Sequence, residues 1–409
     1  MNSKKNISCH SPIAIAMAVL LGLLSTSCGL FGSDDDRIPE ITSVRYMHPD
    51  TAAVRQLEQL GPGEIFVIQG NNLDRVEAVF FNGVGASFNP VFVTKTNMII
   101  TVPDINFMEL DPESDEMNTI KVVSDKGEFV FDFPIVPPPP SLSHLTREFG
   151  QAGDQIRLYG QSLFLILDVR FPGGISAADF TPSDNGSWVD LVVPDGVTEG
   201  GAITVETVNE EVATPPSSPF NDYTGMLNDF DDVNNYEWGA LVSDDPDLFP
   251  GSIGSYGYMQ TGNITPGNWA WWEDTRSVNL VSLRWMEEEH LDDPLQDWAL
   301  KFDIYIKDPL AYGTFLIRIH DDWDYIARYE PWEDTGGAYT TDGWVTVTIP
   351  LSMFRTDNGY GQSAASIRDL HTPDESMGIM FVNDNEGEDD LVESLLVAFD
   401  HMRIVRIAD

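Results

Sequence analysis

A run of four prolines at residues 137–140 constrains the folding of this 409-residue chain more than any other feature. Each proline fixes φ and lacks a backbone N–H, so the run cannot lie inside a helix or a central strand. It forms a stiff, extended spacer of about 3 Å per residue. A second break, Thr-Pro-Pro-Ser-Ser-Pro, occupies residues 214–219. The two breaks divide the chain into three segments that we expect to fold as separate domains.

The first 27 residues have the pattern of a secretion signal. Lys4 and Lys5 precede an apolar run at residues 13–24, which is too short to span a bilayer. The run ends in Leu-Ser-Thr-Ser-Cys, which resembles the lipobox of bacterial lipoproteins. That resemblance implies a signal peptide of residues 1–27 and acylation of Cys28 as a lipid anchor. The alternative is an ordinary signal peptide with a chance cysteine.

Residues 28–37 are expected to form an acidic tether. Its Ser-Asp-Asp-Asp run at residues 33–36 resembles the tag that sends some lipoproteins to the outer face of the outer membrane. We therefore expect a protein that is anchored by lipid in the outer membrane and faces the medium, with a purely solvated tether as the alternative. The other cysteine, Cys9, lies in the signal, so thiol catalysis and cysteine-ligated metal sites are excluded.

Charge narrows the choice of ligand. The chain has 22 basic and 66 acidic residues, a formal net charge of −44 at pH 7. Such a field repels polyanions, and no basic stripe is present that could displace counterions from nucleic acid. Nucleic acid is therefore not an expected partner, and a neutral ligand fits the charge better.

The first two segments read as β-structure. Residues 38–136 contain short β-branched and aromatic runs and an Asn82-Gly83 hairpin signal. The stretch GEIFVIQGNNLDRVEAVFFNGVGASF, followed by MIITVPD, resembles the TIG (IPT) family of immunoglobulin-like domains. Residues 137–216 repeat the plan more faintly in GDQIRLYGQSLFLILDVRF and WVDLVVPDG, which indicates a second, divergent copy. Trp188 in that copy is assigned to core packing.

The third segment, residues 217–409, predicts a larger sandwich. Apolar residues alternate with other residues along 298–306, and similar alternation follows at 315–319 and 345–349. Helical periodicity is scarce. The predicted fold is thus all-β, with two immunoglobulin-like sandwiches followed by a larger jelly-roll-like β-sandwich. Parity assigns Trp298 to the core and leaves Trp344 undecided between core and surface.

Nine of the ten tryptophans follow residue 220, and five of them lie in two dense groups. One group is Trp269, Trp271 and Trp272, and the other lies within residues 320–332, where charged residues flank nearly every ring. Aromatic rings that are flanked by charged residues are expected to be exposed. The apolar face of a pyranose stacks on a flat ring, while its hydroxyls need carboxylate or guanidinium partners. Those partners could be Asp322, Asp324, Arg328 and Glu330. The alternative is a hairpin that packs against another loop.

The whole layout resembles the surface glycan-binding proteins of polysaccharide-utilisation systems. The resemblance rests on the tandem TIG-like domains, the proline breaks and a terminal sandwich containing RYEPW and GWVTVTIPLSMF. It implies a non-catalytic aromatic platform for a neutral β-glucan such as xyloglucan, and partnership with surface hydrolases and a TonB-dependent transporter with its lid lipoprotein. The residues expected at the platform are Trp271, Trp272, Trp323, Tyr325, Arg328, Tyr329 and Trp332.

Two other functions remain open from the residues alone. A glycoside hydrolase needs two carboxylates at a set separation, which a sequence with 66 acidic residues does not reveal. An adhesin could use the same rings as a hot-spot patch for a protein partner. No metal site or cofactor is predicted. Residues 383–390 are rich in oxygen ligands, but their spacing does not fit an EF-hand, so a structural calcium ion is only a secondary expectation.

Overall fold

A computed structural model describes residues 37–47, 55–111, 113–319, 323–333, 335–371 and 375–408. The predicted signal peptide, Cys28 and the tether up to residue 36 lie outside these residues. The described chain is built almost entirely of antiparallel strands, and its one α-helix is a single turn, which confirms the all-β prediction. No helix within the described ranges is long and apolar enough to cross a membrane.

The first sandwich forms a compact unit of its own. A three-stranded sheet of order β1–β2–β5 faces a four-stranded sheet of order β4–β3–β6–β7. Phe66 and Phe81 meet edge to face in its core, with 5.8 Å between ring centres. Asn82 and Gly83 both have positive φ and form the predicted hairpin turn. The strands are β1 (Glu40–Tyr46), β2 (Ile65–Asn71), β3 (Ala78–Phe81), β4 (Val84–Ala86), β5 (Asn97–Thr101), β6 (Thr119–Ser124) and β7 (Gly127–Asp132).

The second sandwich pairs a sheet of order β12–β13–β9–β8 with one of order β11–β10–β14–β15. Val189 and Leu191 face its core, so Trp188 faces outward, where the Arg157 guanidinium lies 3.7 Å from the ring centre. The assignment of Trp188 to core packing is therefore wrong. The strands are β8 (Ser141–Leu145), β9 (Gln155–Gln161), β10 (Ile166–Phe171), β11 (Ile175–Ser176), β12 (Asp179–Pro182), β13 (Trp188–Val192), β14 (Thr204–Thr207) and β15 (Glu211–Ala213).

The third sandwich has a six-stranded and a five-stranded sheet. The first has the order β18–β19–β26–β21–β24, with β16 also paired to β26, and the second has the order β17–β20–β25–β22–β23. The elements are β16 (Met226–Asn228), β17 (Tyr236–Gly239), β18 (Leu241–Ser243), β19 (Tyr256–Ile264), β20 (Ser277–Leu283), β21 (Trp298–Ile306), β22 (Thr314–Arg318), β23 (Ile326–Tyr329), β24 (Val345–Pro350), β25 (Glu375–Val382), β26 (Val392–Arg406) and α1 (Ile367–Leu370).

Short 3-10 turns connect many of the strands. Within the described residues they lie at Leu73–Arg75, Pro90–Phe92, Pro172–Gly174, Trp271–Glu273, Glu288–His290, Leu295–Asp297, Leu351–Met353 and Asp357–Gly359.

The core of the third sandwich lies between its two sheets. Phe315 of the five-stranded sheet meets Phe399 of the six-stranded sheet with 5.8 Å between ring centres. Leu300, Phe302 and Ile304 of β21 point into this core, as their alternation predicts, and Trp298 packs partly against it. The prediction that alternate residues of β21 face the core is confirmed.

The outer face of β21 is buried too, because the second sandwich covers it. Lys301 and Asp303 lie on that face, and both are almost inaccessible to solvent. The Glu148 carboxylate accepts a hydrogen bond from Lys301 Nζ and another from Arg403 Nη2. Arg147 Nε donates to Asp303 Oδ2 at 3.5 Å. We call these five residues the junction cluster, since they join the second and third sandwiches within one compact unit.

Burial perturbs the groups of the junction cluster. It lowers the pKa of Lys301, although the Glu148 carboxylate opposes that effect. Burial alone would raise the pKa of Asp303, but hydrogen bonding to His401 and the charge of Arg147 bring it below its usual value. Trp344, undecided from the sequence, is buried on this side of the sheet with the Arg147 guanidinium 5.6 Å from its ring centre.

Asp400 lies beside the junction cluster and gives a pH-dependent prediction. Burial, together with the nearby Asp303 charge, raises the pKa of Asp400 well above its usual value. The folded state therefore prefers the protonated carboxyl. Its favourable contribution is complete below the unfolded-state pKa of about 3.9 and is lost as pH rises through the folded-state value.

We expect Asp400→Asn to raise the melting temperature by at least about 2 °C near neutral pH. The amide removes the ionisable group but retains Oδ1, which accepts the His401 backbone N–H at 2.8 Å. Near pH 3 the two proteins should melt together, because that pH lies below the unfolded-state pKa of about 3.9 and the carboxyl is then largely protonated in both states. Scanning calorimetry across that range tests this, and an equal gain at every pH would contradict it.

Candidate functional site

The outer face of the five-stranded sheet carries a row of cross-strand partners that crosses all five strands. The row consists of Trp238, Asn279, Gly378, Arg318 and Ile326, in the order of the strands. Directly paired residues point to the same face of an antiparallel sheet. Trp238, on the edge strand β17, thus shares a face with Arg318 near the opposite edge.

An apolar floor lies on this same outer face. Leu316, Ile326, Met380 and Val382 form a buried cluster that is separate from the main core. Trp271 and Trp323 pack against it. These two rings are therefore held on the outside of the sandwich, against the sheet.

Four tryptophans form a contiguous group above this floor. Trp271 stacks on Trp238 with 5.7 Å between ring centres and 24° between planes, and it lies 5.7 Å from Trp323. Trp272 meets Trp271 edge to face, also at 5.7 Å. Trp238 and Trp272 remain 41% and 58% exposed. We call these four residues the tryptophan surface.

The loop of residues 268–274 presents Trp271 and Trp272. Trp271–Glu273 is a 3-10 turn, so the adjacent rings diverge: one packs on the floor and the next projects into solvent. Arg276, which is almost fully buried, braces the loop from beneath. It donates to Asp274 Oδ1 at 2.7 Å, to the Ala270 carbonyl at 2.8 Å and to Asn268 Oδ1 at 3.2 Å.

Trp323 is held in an uncommon backbone conformation. Its φ of 56° lies in the left-handed region, which costs free energy for a bulky side chain. The Arg318 guanidinium lies 5.8 Å from its ring centre. The Trp323 ring thus lies on the apolar floor, where it contacts Arg318 and Trp271, although its backbone conformation is strained.

Arg328 lies on the same face as the tryptophans. It is paired with Leu316 of the floor, and its Nη2 donates to Glu330 Oε1 and to Asp384 Oδ2 at 2.7 Å each. Burial would lower the pKa of Arg328, but hydrogen bonds to the two carboxylates raise it overall. The guanidinium also covers Tyr360, at 4.3 Å from the ring centre.

The structure contradicts the predicted exposure of Trp332. That ring is only 7% exposed and packs in the main core, 6.1 Å from Phe315 and 6.5 Å from Phe381. Tyr329 lies 6.2 Å from Phe302, and burial raises the pKa of its hydroxyl. Tyr325 also packs partly against this core.

Tyr329 faces the core because side chains alternate between the two faces of β23. Ala327 and Tyr329 face inward, whereas Arg328 between them faces outward. The charged neighbours that suggested exposure therefore lie on the other side of the strand. Asp322 lies outside the described residues, and Asp324 is exposed.

Sequence reasoning did not identify Trp238 or Tyr360 as site residues. Trp238 becomes informative only through its pairing with Asn279, 41 residues away, and its stacking on Trp271. Tyr360 is 69% exposed, but it lies far along the chain from the aromatic groups that draw attention. The position of Trp238 depends on long-range strand pairing, and Tyr360 is brought to the site by contact with Arg328.

The acidic loop at 383–390 makes its own hydrogen bonds. Asn383 donates to the Ile264 and Asp390 carbonyls at 2.9 and 2.7 Å, and Asn385 Oδ1 accepts from the Gly313 N–H at 2.8 Å. Among the residues that the structure describes, no three His, Cys, Asp or Glu side chains are grouped as a metal site. The structural calcium ion stays a prediction.

The third sandwich matches a known protein family. Residues 220–406 match the family model described as the surface glycan-binding protein B xyloglucan binding domain. An IPT/TIG domain-containing protein of Bacteroides ovatus is 20% identical to this chain, over 96% of the chain and 97% of the relative. These matches confirm the resemblance to surface glycan-binding proteins with TIG-like domains.

Solved structures agree on the fold. Surface glycan-binding protein PbSGBP-B from Prevotella bryantii has a TM-score of 0.70 and 19% identity, covering 91% of this chain and 99% of that one. SGBP-B from a complex xyloglucan utilization locus in Bacteroides uniformis has a TM-score of 0.54 and 16% identity, covering 91% of this chain and 100% of that one. The fold is thus shared with these two proteins.

Proposed function

We propose that this protein binds a neutral β-glucan of the xyloglucan type, because residues 220–406 match the family model of the xyloglucan binding domain of surface glycan-binding protein B. The tryptophan surface is the binding site. One observation carries the proposal: Trp271 contacts three other tryptophans outside the sandwich core, and Trp271 and Trp323 pack on a separate apolar floor. Core packing does not account for Trp238 and Trp272, which are 41% and 58% exposed.

The chemistry of the site suits a pyranose chain. Exposed indole faces accept the apolar C–H faces of sugars. Exposed carboxylates lie next to the rings in the chain at Glu237, Glu273 and Asp324, where they can accept hydrogen bonds from hydroxyls. With a formal net charge of −44, the protein favours a neutral polymer over an anionic one.

The proposed role is capture without catalysis. A polymer held at the cell surface is at a raised effective concentration for neighbouring hydrolases and for a TonB-dependent transporter with its lid lipoprotein. Micromolar sites suffice for such a role when many act on one polymer. The match to a binding-domain family supports this reading over that of a glycoside hydrolase.

We further propose that acylated Cys28 anchors the protein in the outer membrane. Replacing Cys28 with alanine should move the protein from the membrane fraction to the soluble fraction, since the diacyl anchor would be lost. Fractionation followed by immunoblotting measures the shift. Continued membrane association of the variant would contradict the anchor.

Affinity electrophoresis of residues 29–409 tests the function. Gels would contain xyloglucan, mixed-linkage β-glucan, mannan or polygalacturonate. We expect retarded migration in xyloglucan and none in polygalacturonate. Unaltered migration in every gel would refute glycan binding and favour a protein-binding adhesin, whereas release of reducing sugar would reveal a hydrolase.

A further inference from the structure

We infer that Tyr360, together with Arg328, forms an outer subsite that takes a neutral sugar of the same glucan chain at the sheet edge opposite Trp238. This inference rests on the proposed function and extends it to the length of polymer that the protein recognises. Arg328 is on edge strand β23 and faces the same side as Leu316 of the apolar floor. Its guanidinium covers one face of Tyr360, which is otherwise largely in solvent.

The loop that presents Tyr360 is built at a conformational cost. The three preceding residues, Asp357, Asn358 and Gly359, all have positive φ, of 55°, 53° and 95°. Non-glycine residues occupy this region rarely, and strained backbone is concentrated at functional sites. A Cβ on Gly359 would lie 2.6 Å from Arg328 Cγ, so the loop approaches the arginine closely. The exposed ring is thus held in place by both contact and backbone geometry.

The charges around Tyr360 select a neutral ligand. Arg328 is paired with two carboxylates, Glu330 and Asp384, at 2.7 Å each. One cation shared by two anions offers little attraction to an acidic sugar. A flat ring beside carboxylate oxygens instead suits a pyranose, whose C–H face stacks and whose hydroxyls donate hydrogen bonds.

The distance across the sheet sets a length requirement. Trp238 and Arg328 lie on the two edge strands of a five-stranded sheet. Four strand spacings amount to about 19 Å, so a single sugar cannot reach both edges. A chain several sugars long could contact the tryptophan surface and Tyr360 together. The outer subsite should therefore strengthen binding of long ligands selectively.

The test compares Tyr360→Ala with Tyr360→Phe in residues 29–409. Isothermal titration calorimetry would use β-1,4-linked gluco-oligosaccharides of two and of eight glucoses, and the xyloglucan polymer. We expect Tyr360→Ala to weaken binding of the longer ligands roughly tenfold, as loss of one stacking contact implies, and to leave binding of the two-glucose ligand unchanged. Tyr360→Phe keeps the stacking face and should bind all ligands nearly as the wild type does.

The outcomes separate this inference from the proposed function. Equal losses for short and long ligands, or no loss for either, would overturn the outer subsite. If those results are found together with a large loss of glucan affinity in Trp238→Ala, glycan binding by the tryptophan surface stands and only the outer subsite fails. Wild-type protein that binds none of the glucans would overturn both. Matching melting temperatures of the Tyr360 variants ensure that the comparison concerns binding alone.

Discussion

Replacing Trp238 and Trp272 together with alanine is expected to lower affinity for xyloglucan at least about a hundredfold, because exposed tryptophans at the centre of a site behave as hot spots. Both rings contact Trp271, and both have exposed surface outside the sandwich core. The melting temperature should fall much less than on truncation of a fully buried tryptophan, since both side chains lie outside the sandwich core. Isothermal titration calorimetry and thermal unfolding of the same preparation measure the two effects.

Trp332→Ala is the matched control for this prediction. Its ring is buried beside Phe315 and Phe381, so truncation should reduce stability by about 3–5 kcal/mol. The protein that remains folded should bind xyloglucan with nearly unchanged affinity. Lost binding at unchanged stability would instead place Trp332 in the site and count against the tryptophan surface.

The contrast between Trp332 and Trp238 shows where sequence reasoning succeeds and where it stops. Period-two alternation predicts the inward face of β21 because it depends only on neighbouring residues. Whether a ring in a short, charged stretch faces inward depends on the register of that strand with distant ones. Arg328 pairs with Leu316 and thereby turns Tyr329 toward the core, which the local sequence does not reveal.

The other face of β21 illustrates a second limit. Lys301 and Asp303 read as solvent-facing residues of a half-buried strand. In the structure they meet Glu148 and Arg147 of a different sandwich, more than 150 residues earlier in the chain. Local pattern identifies the strand, but the pairing of buried charges across two sandwiches is a property of their docking.

Glu148→Ala is expected to be among the most destabilising single substitutions in this unit. The carboxylate accepts hydrogen bonds from both Lys301 and Arg403, and all three side chains are almost fully buried. Its removal would leave two buried cations without the carboxylate that they share, which costs about 3–5 kcal/mol in comparable cases. Urea unfolding should show a lower midpoint for the second and third sandwiches.

Asp292→Ala provides the exposed counterpart. Asp292 forms a bidentate pair with Arg368, but both side chains lie mostly in solvent, where such pairs add little to stability. Each variant removes one carboxylate that contacts an arginine. A difference in stability between the two variants therefore reports the effect of burial at the junction cluster. If Glu148→Ala unfolds at the same urea concentration as Asp292→Ala, the junction cluster does not hold the two sandwiches together. If Glu148→Ala unfolds at a much lower urea concentration, contacts with the second sandwich stabilise the domain that carries the tryptophan surface. The third sandwich alone is then an incomplete folding unit.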